Sequence, residues 1–375
     1  MVRASSRLLA LVVLGAVGAC SPGAAPPAKP SQGSAPQSTV AAPAAPATTA
    51  PAAAAAKPAR EPTTVRITDI QITSAAGSYI AAEKGYFREE GIDAQFIPMG
   101  AADQVPAIVA NSADVAGAAI NAFLFNAVAR GVPVKGVADH GANLKDASAG
   151  GVVFRKDLYD SGAIRGPADL RGRKIGLSNS GSASDIALDR YLHEGGLDLT
   201  EMDLNYMGFP DLIPAFANKA IDAGYWQEPF TTIAVDRGLV VRGPIGYDVY
   251  PNQQIAVVLF RDKLLSDRDL GLHYLRAYTR GVRDYVKAMQ DRDPAMFDQV
   301  VPILIEHTTV KERALYEKAI PSGLKPDPIP NVQSIVDDQE WYIAHGQQQE
   351  RVNVQDFIDT SLVEEAIRQL GPAGR

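Results

Sequence analysis

The tightest constraint on this chain is the alternation of short apolar runs with helix-length segments that begins at Val65. Val65–Ile72 reads as a strand that ends in a small-residue turn, Thr73–Ser78. A helix follows to about Lys84, where Gly85 suits the left-handed cap position. Ala94–Pro98 reads as a second strand and Ala102–Ala110 as a short helix. Asp114–Ala119 is a third strand of small residues, followed by Asn121 and a helix over Ala122–Ala129; Val134–Ala138 is a fourth strand. Parallel neighbours need a crossover, and a helix is the usual one, so this order points to an α/β fold with a mostly parallel sheet covered on both faces. Ligands of such sheets bind beyond the carboxyl ends of the strands. The turns at Ser74–Tyr79 and at Asn121 are therefore expected on one common side.

Gly150–Phe154 reads as a strand leaving this unit, and a second unit extends to about Tyr250. Its centre is residues 170–193: a buried strand at Lys174–Leu177, a hydroxyl- and glycine-rich turn at Ser178–Ser182, then an amphipathic helix. Ile186, Leu188, Tyr191 and Leu192 share one side of that helix. Ser182 or Ser184 suits its N-cap, and Gly181 permits a sharp turn with close approach to backbone. A helix start with unpaired N–H groups suits an anion or a strongly polar group. Asp203–Tyr206 is the next strand, then the turn Met207–Asp211, a helix to Asn218, a strand at Ala220–Gly224 and the segment Tyr225–Phe230. Gln254–Phe260 is apolar enough to return the chain to the first unit. Beyond Leu270 the pattern is chiefly helical, with Leu275, Tyr278, Val282, Tyr285, Val286 and Met289 at helix spacing.

The amino terminus has another character. Arg3 and Arg7 precede an apolar core, Leu8–Val17, that is shorter than the roughly 20 residues a membrane span needs. Val17-Gly18-Ala19-Cys20 resembles a bacterial lipobox, which makes 1–20 a lipoprotein signal peptide and Cys20 the lipidation site. Cys20 is the single cysteine of 375 residues, so no thiol or disulfide chemistry is expected of the mature body. Residues 21–62 are mostly Ala, Pro, Ser and Thr, a composition unable to bury a core and suited to a disordered, extended tether. Such an anchor would hold the protein to a membrane from outside the cytoplasm.

Four pieces stand out in order: Ala81–Ile92, with its Gly-Tyr-Phe exit; Ile108–Ala116; Asp169–Gly176; and Ala220–Pro229. Together they resemble the substrate-binding proteins of ABC importers, in the branch that includes sulfonate-, taurine-, nitrate- and thiamine-pyrimidine-binding proteins, with Asn-Ser in the second piece standing in place of a usual glycine. The tail, from Gln339 to Ala366, is similar as well. The resemblance implies a two-lobed periplasmic-binding-protein type II fold, the Venus flytrap, closing on a small molecule. Lobe I would comprise 63–151 plus 252–375, and lobe II 152–251. The implied partners are a small-molecule ligand and an ABC permease, with the protein a monomer. The binding positions implied are Ser74 and Tyr79, Asn121, Ser180, Gly181 and Ser182, and Trp226 to Glu228.

From the residues themselves, Ser78 joins Ser74 and Tyr79 as a candidate at the first turn, and Phe209 and Asp211 begin a helix beside the cleft. Trp226 suits stacking on a ligand ring or lobe II core, and Glu228 suits accepting from an N–H or a surface role at a hinge. His140 is expected as a satisfied loop histidine. The absence of an arginine at a predicted cleft position argues against a small bare anion. The expected ligand is an organic molecule with a sulfonate- or carboxylate-like head and a ring, with a pyrimidine or amine as the alternative that Glu228 leaves open.

Other function classes find little support. A net charge of −7 without a basic patch argues against nucleic-acid binding. The histidines at 140, 193, 273, 307 and 345 show no metal-ligand spacing, and neither a nucleophile elbow nor a phosphate loop is present. No cofactor, metal or catalytic residue is expected. The alternatives are an enzyme on the same lobes, of the pyrimidine-synthesising kind, and a ligand sensor for a signalling partner.

Overall fold

A computed structural model describes residues 61–148 and 150–374. The signal peptide, Cys20 and all but the end of the tether lie outside these residues. The chain forms two five-stranded sheets. In chain order, β1 (Thr63–Asp69), β2 (Ile92–Pro98), β3 (Val115–Ala119) and β4 (Val134–Ala142) belong to the first. The second comprises β5 (Gly150–Arg155), β6 (Lys174–Leu177), β7 (Asp203–Tyr206), β8 (Ala223–Gln227) and β9 (Val240–Ile245). β10 (Gln254–Arg261) returns to the first sheet. The orders are β2-β1-β3-β10-β4 and β7-β6-β8-β5-β9. This is the two-lobed α/β architecture the sequence led us to expect.

Both sheets are mixed rather than mostly parallel. β1 runs parallel to β2 and β3, and β6 parallel to β7 and β8, as the crossover pattern requires. β10 is antiparallel to both its neighbours, and so is β5. These two strands follow the connections that pass between the sheets, and each enters its sheet from the opposite end.

Burial on both faces explains the unbroken apolar runs. In β10, Val258 and Phe260 pack on the side of the helix Arg268–Tyr285, whereas Val257 and Leu259 pack on the other with Phe125 and Tyr342. The C-terminal helix spacing holds: Leu275, Tyr278, Val282, Tyr285, Val286 and Met289 are all buried in one cluster. The helix crosses Ala76–Glu83 at contact distance, because a Cβ on Gly281 would fall 2.0 Å from the carbonyl oxygen of Gly77.

Several local expectations change. Thr73–Ala75 is a single 3-10 turn, and the helix begins at Ala76, inside the stretch read as a turn. β4 continues four residues past Ala138, so His140 is a strand residue rather than a loop one. It is 4% exposed with Nδ1 3.3 Å from the Tyr278 hydroxyl, and burial lowers its pKa to about 4. β8 starts at Ala223, three residues later than read. β9 has no counterpart in the sequence reading, since Gly243 and Pro244 look like breakers; it is an edge strand, where proline is tolerated.

Candidate functional site

A cleft of about 440 Å³ lies between the two sheets. Ile70, Asn121, Phe123, Asn143 and Ile255 line it from the side of the first sheet and its connections. Ser178, Asn179, Ser182, Phe209, Tyr225 and Gln227 face them from the second. Most of these residues sit at strand ends and helix starts. Ile70 follows β1, Asn121 lies between β3 and the helix Ala122–Ala129, and Ser178 and Asn179 follow β6. Asn143 belongs to the first connection between the sheets, and Ile255 lies at the start of β10, directly after the second. Ligand position in an open α/β sheet is set by this geometry.

The turn Ser178–Ser182 folds as its composition suggests. Gly181 takes φ +73, a conformation other residues resist, and its carbonyl accepts from Ala122 N across the cleft at 3.0 Å. Gly181 N donates to Asp185 Oδ2 at 2.7 Å, so the chain's own carboxyl takes the first amide at the start of the helix Ala183–Glu194. Burial pushes that carboxyl up to about 6 while the Gly181 amide pulls it down. Ser182 holds the N-cap position without capping through its hydroxyl, and its buried Oγ has no hydrogen-bond partner. Asn121 also caps its helix, and its Oδ1 accepts from Leu124 N at 2.8 Å.

Of the residues singled out from sequence, Asn121, Ser182 and Phe209 line the cleft. Gly181 shapes its wall, Ser180 is exposed on the same turn, and Asp211 is exposed in the first turn of the helix Phe209–Ala217. Ser74 is half-buried in the 3-10 turn after β1. Four others are engaged elsewhere. Ser78 is buried with its hydroxyl 3.3 Å from that of Tyr274. The Tyr79 hydroxyl donates to Asp69, and its ring stacks on His307 at 4.8 Å. Trp226 is fully buried, edge-on to Phe216 at 4.7 Å in the core behind the second sheet. Glu228 pairs with Arg242 and accepts from Thr232 N and Oγ1 at 3.1 and 2.7 Å.

The cleft uses the neighbours of two of these. Side chains alternate along a strand, so Tyr225 and Gln227 face the cleft while Trp226 between them points away. Asn143, Tyr225, Phe123 and Asn179 were not singled out from the sequence, and Gln227 only as part of the stretch Trp226 to Glu228. A polar residue directly after β4 and the period-two pattern of β8 were the signals available.

Two features define the cleft chemically. First, none of the described residues lining it is Asp, Glu, Lys, Arg or His. Second, three polar atoms in its wall are buried without a hydrogen-bond partner: Asn143 Oδ1, Ser182 Oγ and the Tyr225 hydroxyl. Asn143 is 0% and Tyr225 3% exposed. Unpaired buried polar atoms each cost about 1–3 kcal/mol, so a site that carries three is suited to a ligand that pairs them.

Asn143 also belongs to a buried network at the connections. Its backbone pairs with the opposite connection through Asn143 N to Gln253 O (2.9 Å) and Asn252 N to Asn143 O (2.8 Å). Its Nδ2 donates to Gln253 Oε1 at 3.1 Å. Gln253 Nε2 faces Asp338 Oδ2 at 3.3 Å and the Ala183 carbonyl at 3.4 Å. Burial raises the Asp338 carboxyl to about 7, against the pull of that amide.

Away from the cleft, Glu83, Glu306 and His307 approach one another within 4.8 Å, as do Asp189, His193 and Asp198. His307 is already bonded to Glu83 at 2.8 Å, and Asp189 accepts from Trp341 Nε1 at 2.8 Å.

A family model described as NMT1/THI5 like matches residues 72–287, more than half of the chain. The chain belongs to the NMT1/THI5-like family. The match spans both connections and all the described cleft-lining residues but Ile70, and the resemblance read from the sequence pieces holds. A Brucella abortus protein named as a binding protein is 25% identical over 209 residues, covering 55% of this chain and 61% of its own length. The chain thus spans about three fifths of the curated relatives it matches. Among solved structures, the ligand-binding component of an ABC-type import system from Staphylococcus aureus, with zinc bound, aligns at TM-score 0.65 and 16% identity, covering 81% of this chain and 98% of that one. The periplasmic aliphatic sulphonate binding protein SsuA from Escherichia coli aligns at TM-score 0.64 and 19% identity, covering 80% and 93%. The desulfurization enzyme DSZB shares the fold at TM-score 0.57 and 16% identity, covering 83% and 100%.

Proposed function

We propose that this protein is the extracytoplasmic solute-binding component of an ABC importer, capturing a small organic molecule between its lobes and catalysing no reaction. The observation that carries this reading is the cleft itself: its walls come from both sheets, its unpartnered polar atoms come from both, and the connections run beside it. A ligand pairing Asn143 on one side with Ser182 and Tyr225 on the other favours lobe closure, and the closed form is what a permease reads. Lobe I comprises 63–151 with 252–375, and lobe II 152–251. The lipobox-like Cys20 anchors a monomer to the outer face of a membrane through the 21–62 tether. Cys20→Ser is expected to move the protein from the membrane to the soluble fraction.

The second reading, an enzyme on the same lobes, has the shared fold of DSZB in its favour. Against it, the described residues of the cleft wall offer hydroxyls and amides but no ionisable acid–base pair. Native mass spectrometry of the purified chain, followed by denaturation, separates the two. An unmodified small molecule released in stoichiometric amount supports binding; conversion of that molecule on incubation with the protein sinks it.

A further inference from the structure

The buried network behind the cleft fixes which atom Asn143 presents to a ligand. At one end is Asp338, an acceptor, with the Ala183 carbonyl, a second acceptor, beside it. Gln253 must turn its Nε2 to both, which leaves Oε1 pointing the other way. Asn143 answers Oε1 with its Nδ2 at 3.1 Å. Its remaining amide atom, Oδ1, is left as an acceptor, buried beside Gly246 in the part of the wall that Asn143 shares with Tyr225. The polarity is set by the Ala183 backbone carbonyl, which can only accept, so flipping either amide would set acceptor against acceptor. The Tyr225 hydroxyl lies across from Oδ1: a Cβ on Gly246 would sit 2.3 Å from one and 2.5 Å from the other. If that phenol turns its proton to Asn143, its own oxygen becomes the acceptor on offer. Either way the relay ends in an acceptor.

Resting on the reading of the cleft as a ligand site, we propose that it selects an uncharged molecule whose polar head donates a hydrogen bond, such as a carboxamide or a ring N–H, on an apolar body. Carboxylates, sulfonates and nitrate have no proton to give Asn143. They also meet no cationic side chain in the described wall, and the carboxyl of Asp185 already takes the Gly181 amide at the start of the second-lobe helix. Phe123 and Phe209, one from each lobe, supply apolar surface for the body of the ligand.

The test is isothermal titration of the full chain with matched pairs: benzamide against benzoate, nicotinamide against nicotinate, benzenesulfonamide against benzenesulfonate. N,N-dimethylbenzamide, which keeps the shape of the amide but loses its donor, is included, and any molecule released on denaturation is identified. We expect the neutral member of each pair to bind at least tenfold more tightly than its anion, and the dimethyl amide to lose that advantage. A neutral N–H donor among released molecules supports the proposal. Gln227→Arg, which adds the missing cation, is expected to shift the preference toward the anions by about tenfold. Equal or tighter binding of the anions to the wild-type chain, an anionic molecule released from it, or undiminished binding of the dimethyl amide overturns the proposed class while leaving the cleft as the site. If no probe binds and nothing is released, the reading of the cleft as a ligand site falls, and the proposal with it.

Discussion

Two of the contacts between the lobes differ in chemistry. Beside the connections the contact is buried: Asn143, Gln253 and Asp338 form a network within lobe I that reaches the Ala183 carbonyl of lobe II through Gln253 Nε2 at 3.4 Å, and Trp341 Nε1 reaches Asp189 Oδ2 at 2.8 Å. Elsewhere, the helices Arg313–Lys318 and Phe230–Asp236 meet through Lys318 and Asp236, 2.8 Å apart, whose side chains remain 57% and 44% exposed. A buried network is costly to break because its members lose water and find no replacement. An exposed ion pair exchanges readily with water and salt. The first contact therefore behaves as a fulcrum and the second as a releasable touch, which is the asymmetry a hinged receptor needs.

The sharpest way to break that asymmetry is Gln253→Ala. It removes the amide that joins Asn143, Ala183 and Asp338 and takes one donor from a buried carboxyl. We expect a loss of about 2–3 kcal/mol, measured as the urea unfolding midpoint at pH 8. A loss indistinguishable from that of an exposed substitution would mean that the network does not hold the lobes.

A smaller pair of substitutions separates the cleft wall from the core behind it. Tyr225→Phe removes one unpartnered cleft hydroxyl and is expected to weaken ligand binding by about tenfold, at little cost in stability. Trp226→Phe is expected to leave affinity unchanged while lowering stability by about 1–2 kcal/mol through loss of packing against Phe216. The reverse outcome, in affinity measured by titration and stability by thermal melting, would put Trp226 in the cleft.

These neighbouring aromatics also show what the sequence could and could not convey. The strand–turn–helix units were legible because crossover helices and covered sheets impose periodicity, and that was enough to place the cleft at the turns after β1, β3 and β6. The phase of β8 was not legible: Tyr225 and Trp226 are adjacent, both aromatic and both buried, so hydropathy alternation gives no sign of which face each takes. Asn143 was hidden for another reason. Its role depends on Gln253, 110 residues away, and Asp338, 85 residues beyond that. Tyr79 and Glu228 misled because their polar groups find partners in the fold, Asp69 and Arg242, that local sequence does not announce.

Titration sharpens the comparison from the fulcrum side. Burial raises the folded-state pKa of Asp338 to about 7, above its ordinary value of 3.8. The folded protein thus holds this proton more tightly than the unfolded chain does. The stability linked to it is fully present below about pH 4 and is lost as pH rises through 7. Asp185, raised to about 6, acts in the same direction, whereas His140, lowered to about 4, acts oppositely below its ordinary value of 6.5. The difference between wild type and Asp338→Asn isolates the first term. Chemical unfolding at intervals from pH 5 to 8 should show the variant gaining on wild type as pH rises, and parallel curves would remove Asp338 from the linkage.

The smallest expected effect belongs to the exposed contact. Lys318→Ala removes the ion pair with Asp236, and both partners already stand largely in water. No measurable change in unfolding midpoint is expected, because each side chain returns to solvent it had barely left. The readout that should move is kinetic. If the pair is a touch that must part for the lobes to separate, its loss speeds ligand release, and raising the salt concentration of the wild type reproduces that speed-up while leaving the variant unaffected. A variant that unfolds at lower denaturant, or whose release rate keeps the wild-type dependence on salt, would show that the two contacts do not divide the work between fulcrum and latch.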